Sequence, residues 1–245
     1  MANIDQHQIE ILKNKQAWES KRLLRTIYSM FYSQIAALID PAIEGKIVEL
    51  GSGIGNLKMT IPQAVCTDLF PNPWIDTICN AYAMPFENSS VSHLVLFDVF
   101  HHLERPKAFF KEAQRVLTHG GRVIIFDPYI SLASMAVYGL LHHEPTAWNL
   151  PIDLSDQRPK EERYYAAQGN ATRLFFKQET SAWLKDWRVF HRKAIVCFSY
   201  LLSGGYSKPA FYPIQALPVL QKIDTSLSFC PSMFAARCLI GVTIA

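Results

Sequence analysis

Apolar residues recur at three- and four-residue steps through the first forty positions. Ile9, Leu12, Leu23, Leu24, Ile27, Phe31, Ile35 and Leu38 trace a helical face over residues 5–40, and Asp40-Pro41 and Gly45 end it. Lys46–Leu50 is then a short apolar run closed by glycines, the pattern of a buried strand running into a tight turn. Further strand-like runs fall at Ala64–Leu69, Trp74–Cys79, Ser92–Phe97 and Arg122–Phe126. Between the last two, Pro106–Leu117 gathers Phe109, Phe110, Ala113, Val116 and Leu117 on one side of a helix, with Gly120-Gly121 as its stop. Strands separated by helical crossovers predict a parallel sheet covered on both faces. The periodicity lapses at Asp127. Residues 128–172 hold Pro128, Pro145, Pro151 and Pro159 and read as a helix followed by irregular chain over the carboxyl end of the sheet. Beyond them the pattern predicts a helix over Phe175–Trp187, a long strand over Arg188–Leu201, a helix over Ile214–Ile223 and a final strand over Phe234–Ala245.

Composition narrows the classes of function. Hydrophobic residues make up 49% of the 245 and charged ones 18%, which excludes a disordered chain and allows a full core. A net charge of +3 without any block of five Lys or Arg gives no electrostatic footprint for nucleic acid. The polar start, MANIDQHQIEILKNKQ, lacks the apolar stretch of a signal peptide. The apolar runs near Leu132–Leu141 and Phe234–Ala245 fall short of the ~20 residues a spanning helix needs, so a soluble, cytoplasmic protein is expected. The five cysteines are odd in number and form no C-x-x-C pair, which reads as reduced, buried thiols rather than disulfides or zinc ligands.

Candidate chemistry begins at Val48-Glu49-Leu50-Gly51-Ser52-Gly53-Ile54-Gly55, where a strand enters a turn with glycines at alternate positions and a helix is expected to follow. Glycine permits positive φ and close approach of a ligand, and a helix start offers free N–H groups to an anion. Dinucleotide-binding folds use the same device, so the turn alone is ambiguous. Its neighbours separate the two. Glu49, at the tip of the strand, suits an ammonium group. Asp68, 17 residues after Gly51 and at the end of the second strand, suits ribose hydroxyls. In Cys79–Phe86, after the third strand, Asn80 can meet an adenine amino group, flanked by Ala81 and Tyr82. A solvated loop acid is the bland reading for Glu49 or Asp68 taken singly, and it weakens when both occur in place.

The ordered set Glu49–Gly55, Asp68, Asn80–Phe86, Phe97–Leu103 and Leu117–Phe126 resembles the successive motifs of class I methyltransferases. It is most similar to the small-molecule group often called type 11, over roughly residues 45–130. The stretches Leu141–Pro145 and Tyr200–Gly205 resemble an uncharacterised bacterial subset with an extended C-terminal half. The resemblance implies a doubly wound, Rossmann-like α/β fold with a seven-stranded sheet whose last strand is antiparallel. It also implies S-adenosylmethionine as cofactor, bound across the carboxyl ends of the first, second and fourth strands. Glu49, Gly51, Ser52, Gly53, Gly55, Asp68, Leu69, Asn80, Ala81, Tyr82 and Phe97 are the cofactor-binding candidates. The organisation expected is a helical cap over residues 1–44 and a catalytic domain over 45–245, in which 128–174 form a lid. Two positions depart from the family pattern: Asn80 replaces the usual acid, and Ser92-His93 replaces Phe-Asp at the start of the fourth strand.

Methyl transfer needs a general base only when the acceptor must lose a proton, and histidine is the default residue. His101 or His102, after the fourth strand, is one candidate; the bland reading is a histidine bonded to backbone at a turn. His143, with His142 and Glu144 in the lid, is the other, against an ordinary surface cluster. Adjacent histidines chelate one ion poorly, so no metal is expected. Tyr28 and Tyr32 on the N-terminal helices, and Asp127 and Tyr129 after the fifth strand, are second-rank pocket candidates. The expected activity is methylation of a small molecule at oxygen, nitrogen or carbon, on a bulky apolar, sugar or lipid-like acceptor. Two other readings stay open: an NAD(P)-linked oxidoreductase, disfavoured because Asn56 stands where the third glycine of Gly-x-Gly-x-x-Gly would be, and a non-catalytic protein that binds S-adenosylmethionine.

Overall fold

The computed structural model describes residues 4–141, 148–159, 169–177 and 184–245. Its strands are β1 (Lys46–Leu50), β2 (Val65–Asp68), β3 (Thr77–Ile78), β4 (Val91–Phe97), β5 (Leu117–Pro128), β6 (Trp187–Val196) and β7 (Ala235–Ile244). They form one sheet in the order β3-β2-β1-β4-β5-β7-β6. The first five pair in parallel, while β7 runs antiparallel between β5 and β6. The strand order reverses between β1 and β4, and ligands of open α/β sheets bind at such a point.

Helices α1 (Ile4–Ser20) and α2 (Arg22–Ala36) precede the sheet, and α3 (Pro106–Val116) crosses from β4 to β5. After β5 come α4 (Leu132–Leu141), α5 (Asn170–Phe175), α6 (Phe198–Leu201), α7 (Leu217–Leu227) and α8 (Pro231–Phe234). Alternation along the central strands builds two cores. Leu94, Leu96, Val123 and Ile125 join Phe109, Phe110 and Val116 of α3 on one face. Val95, Phe97, Ile124 and Phe126 join Leu24, Ile27, Phe31 and Ile35 of α2 on the other. Each fully buried Phe or Leu contributes about 1.5–3 kcal/mol by leaving water, so the two helices clamp the sheet from opposite sides.

The crossovers differ from expectation. Between β1 and β5 only α3 is an α-helix; a 3-10 turn, Asn56–Met59, stands between β1 and β2 where a helix is expected, and β2–β3 and β3–β4 are joined by turns. Pro62 accounts for the first difference, since it lacks an N–H and pushes Ile61 away from helical dihedrals. Gly120-Gly121 lie inside β5 and do not end α3: the register steps from Val91↔Leu117 to His93↔Arg122, so residues 118–121 bulge.

Further differences fall in the second half. Of the helix expected over Phe175–Trp187, Phe175 is the last residue of α5 and Trp187 opens β6, while residues 178–183 lie outside the described residues. β6 stops at Val196, because the Asp224 carboxylate accepts from Phe198 N and Ser199 N and so starts α6. α7 begins at Leu217 after a 3-10 turn and runs to Leu227, beyond the expected end, and α8 precedes β7. At the start of β4 the departure from the family pattern is structural, as expected: His93 Nε2 accepts from Asp40 N, and Arg122 on β5 donates to Leu38 O and Asp40 Oδ2, tying β4 and β5 to the chain after α2. Burial pushes the His93 imidazole down to about 4, with the Arg122 charge adding to this, so the ring is neutral there.

Candidate active site

The tips of β1 and β2 are laced together by the glycine turn. Ser52 N donates to Thr67 O (2.7 Å), and Thr67 N donates back to Ser52 Oγ (3.0 Å). The Thr67 hydroxyl donates to Glu49 O (2.8 Å), and Gly53 N donates to Asp68 Oδ2 (3.0 Å). Gly51, Gly53 and Gly55 all take positive φ. At Gly55 the need is steric as well: a Cβ there would stand 2.6 Å from the Trp74 carbonyl oxygen.

Glu49 is 2% exposed, and among the described residues it forms no ion pair. Its polar neighbours are the Ser52 hydroxyl and the Cys66 thiol, which donates to Oε2 over 3.6 Å. Burial pushes its carboxyl up to about 8; the two hydrogen bonds oppose this and the Asp68 charge reinforces it. Asp68 is also raised by burial, against the pull of His7 and the N–H groups of Gly53 and Leu69. A buried acid with no protein cation beside it is costly unless a ligand brings one.

The remaining cofactor candidates lie at or just beyond the ends of β2, β3 and β4. Leu69 N donates to Asp68 Oδ1 (2.7 Å), and Cys79 N donates to Asp68 O (2.8 Å), which sets Asn80 next to the end of β2. Asn80 Oδ1 accepts from Tyr82 N (2.8 Å) within a tight turn through Ala81. The Tyr82 phenol accepts from Arg105 N (3.2 Å) and faces a groove of about 430 Å³ along α3, with Lys111, Arg115 and Arg158. Phe97, at the tip of β4, stacks on Phe126 (5.0 Å) and meets Tyr28 and Tyr32 of α2 at 5.3 and 5.2 Å.

Helix α1 lies over the turn. His7 Nε2 stands 3.7 Å from Asp68 Oδ1 and its ring 5.0 Å from Phe70, while Ile11 packs over Gly53. Trp18 stacks on Tyr206, whose hydroxyl accepts from Asn56 Nδ2 (3.3 Å).

A second polar cluster sits beside the first, at the tips of β4, β5 and β7. His101 Nδ1 lies 2.8 Å from Asp127 Oδ1, and both residues are buried. Burial raises the Asp127 carboxyl above the usual carboxylate range, and His101 draws it down. Asp98, in a left-handed conformation with φ 57°, accepts from Arg237 Nη1, and Arg237 Nη2 donates to Tyr200 OH (2.8 Å). Asp98, His101 and Asp127 are close enough to share an ion, but the Arg237 guanidinium already supplies positive charge to Asp98. His143, with His142 and Glu144, lies outside the described residues.

Sequence reasoning misses Arg237, Asn170 and His7, and ranks Asp127 second. A lone arginine in the apolar run Ala235–Ile244 is itself a signal, because a buried guanidinium requires a partner. Neither Asn170 nor His7 carries such a mark.

Residues 49–125 match the family Methyltransf_11, a methyltransferase domain. No curated protein sequence matches the chain. Among solved structures, the complex between the Haloferax volcanii Trm112 methyltransferase activator and its proposed methyltransferase aligns at 15% identity and TM-score 0.54, over 98% of this chain and 96% of that one. A Thermotoga maritima methyltransferase dependent on S-adenosylmethionine, a candidate histamine N-methyltransferase, aligns at 14% identity and TM-score 0.50, over 99% and 96%. Haemonchus contortus phosphoethanolamine N-methyltransferase 2 bound to S-adenosylmethionine aligns at 14% and 0.47, over 87% and 51%. At these identities the likeness is one of fold. The domain match agrees with it over the strands that carry the glycine turn and both acids: residues 49–125 match a methyltransferase domain, on a fold that the chain shares with methyltransferases dependent on S-adenosylmethionine.

Proposed function

We propose that this enzyme methylates a small molecule and that His101 takes the acceptor's proton. Glu49 carries the cofactor part of the reading: a buried acid without a protein cation fits the ammonium of S-adenosylmethionine. The second acid, Asp68, fits the ribose hydroxyls, and Asn80 with the backbone around Ala81 and Tyr82 fits the adenine. Phe97 and the glycine turn complete the walls. When bound, S-adenosylmethionine supplies an activated methyl group on its sulfonium.

The chain's own residues hold, orient and deprotonate the acceptor. With Asp127 accepting from Nδ1–H, His101 is fixed in the tautomer whose basic nitrogen is Nε2, the arrangement of a general base with an orienting carboxylate. That base serves a hydroxyl or ammonium acceptor, and both must lose a proton. Residues 1–44 act as a cap: α1 over the turn and the aromatic face of α2 exclude water from it. Residues 128–174 form the lid on the acceptor side, and His143 within them is a second candidate base. We assign the enzyme to the cytoplasm, in keeping with free cysteines and the absence of any helix among the described residues long and apolar enough to cross a membrane.

Calorimetric titration with S-adenosylmethionine, its demethylated product and NADH tests the cofactor. Binding of the first two alone is expected; binding of NADH alone would restore the oxidoreductase reading. An acceptor screen follows, with wild type beside His101→Gln. Turnover of no acceptor by a protein that binds cofactor would favour a non-catalytic role.

A further inference from the structure

The loops that carry His101 and Asp127 are both held by one short element, α5. Asn170 is completely buried, and its Nδ2 donates to Phe100 O (3.1 Å) and Leu103 O (2.8 Å), the two carbonyls that bracket His101-His102. Two residues on, the Thr172 hydroxyl accepts from Ile130 N (2.9 Å), three positions after Asp127. Contact on that side is close: Gly169 has φ +66°, and a Cβ there would fall 2.0 Å from Ile130 Cδ1. Thus α5 ties the exit of β4 to the exit of β5 at the level of the His101–Asp127 pair.

Asn170 is a poor choice for stability alone. Its Oδ1 is buried and has no hydrogen-bond partner among the described residues, a cost that an apolar side chain of similar shape would avoid. Its use lies in the two donors. We infer that Asn170 and Thr172 are positioning residues that set the alignment of His101 on Asp127, so that α5 governs the base. This rests on the reading of His101 as that base.

The test uses the full chain labelled with 15N-histidine, with the His101 signals identified by their loss in His101→Gln. In wild type the Nδ1 proton of His101 should be observable and strongly downfield, as a proton held in a charge-assisted bond is. Asn170→Ala should abolish that signal while far-ultraviolet dichroism and S-adenosylmethionine affinity stay at wild-type values. Thr172→Val, which removes a single hydroxyl, should weaken it, and it decides the matter if Asn170→Ala does not fold. A wild-type signal that persists in the folded variants would overturn the positioning roles and leave the base reading standing. No bonded Nδ1 proton in wild type would overturn both.

Discussion

The Cys66 thiol reaches Oε2 of Glu49 over 3.6 Å, a weak donor facing a carboxyl that burial holds up at about 8. Unfolded, that carboxyl titrates near 4.5. Between these values the folded state keeps a proton that the unfolded state has lost. Glu49's contribution to stability is therefore fully present below about 4.5 and is lost as pH rises towards 8. An ammonium bound beside Glu49 ionises it, so cofactor binding at neutral pH should release a proton and tighten as pH rises to about 8. Calorimetry in two buffers of different ionisation enthalpy measures the release. Glu49→Gln should abolish it and weaken binding about ten- to a hundredfold, the worth of a charged hydrogen bond.

Asp68 uses Oδ2 to fix Gly53 N and Oδ1 to fix Leu69 N, and keeps further acceptor capacity for a diol. Asp68→Ala should weaken S-adenosylmethionine binding by about ten- to a hundredfold. Unchanged affinity in a folded variant would remove the ribose assignment.

His7 faces the same oxygen from helix α1, 3.7 Å away. A ligand hydroxyl that reaches Oδ1 from the side of α1 would displace that contact. His7→Ala should therefore raise cofactor affinity about two- to fivefold, the scale of a partly exposed pair, as read by the same titration. Weaker binding would instead show that His7 belongs to the bound state.

Removal of the base should separate turnover from cofactor affinity. Once the screen yields an acceptor that must lose a proton, His101→Gln should lower kcat by about 10²- to 10⁴-fold. Asp127→Asn should also lower it, by favouring the wrong tautomer, and both should leave cofactor affinity near wild type. Full activity in His101→Gln would move the proposal to His143.

Gly55→Ala tests the turn independently of ligands. It places a Cβ 2.6 Å from a backbone oxygen that cannot swing away, at φ +68°. The loss should be about 1–3 kcal/mol, read as a lower midpoint in urea at unchanged slope.

The parallel part of the sheet is legible in the sequence because strands buried on both faces read as continuous apolar runs bounded by turn residues. The motif order is legible for the same reason: Glu49 and Asp68 sit at the tips of such runs. Pairings between strands are another matter. His101 meets Asp127 only because β4 and β5 align Phe97 with Phe126, and Arg237 reaches Asp98 only because β7 aligns it opposite Pro128. Register is decided by packing of whole faces, which no single run of residues declares. Helix lengths also escape, as Pro62 and the Asp224 cap show: one residue or one distant carboxylate ends or starts an element.

The place of β7 bears on synthesis. It lies between β5 and β6 yet is made after both. Until residues 235–244 leave the ribosome, the edge of β5 that β7 covers is open, and β6 lacks the one strand it pairs with among the described residues. An unpaired apolar edge of that length invites association with other chains. Arg237 arrives on the same strand, so a nascent chain can bury its glycine turn and both acids before Asp98 acquires its counter-ion. Ribosome-bound intermediates of this enzyme should therefore be the species most dependent on chaperones.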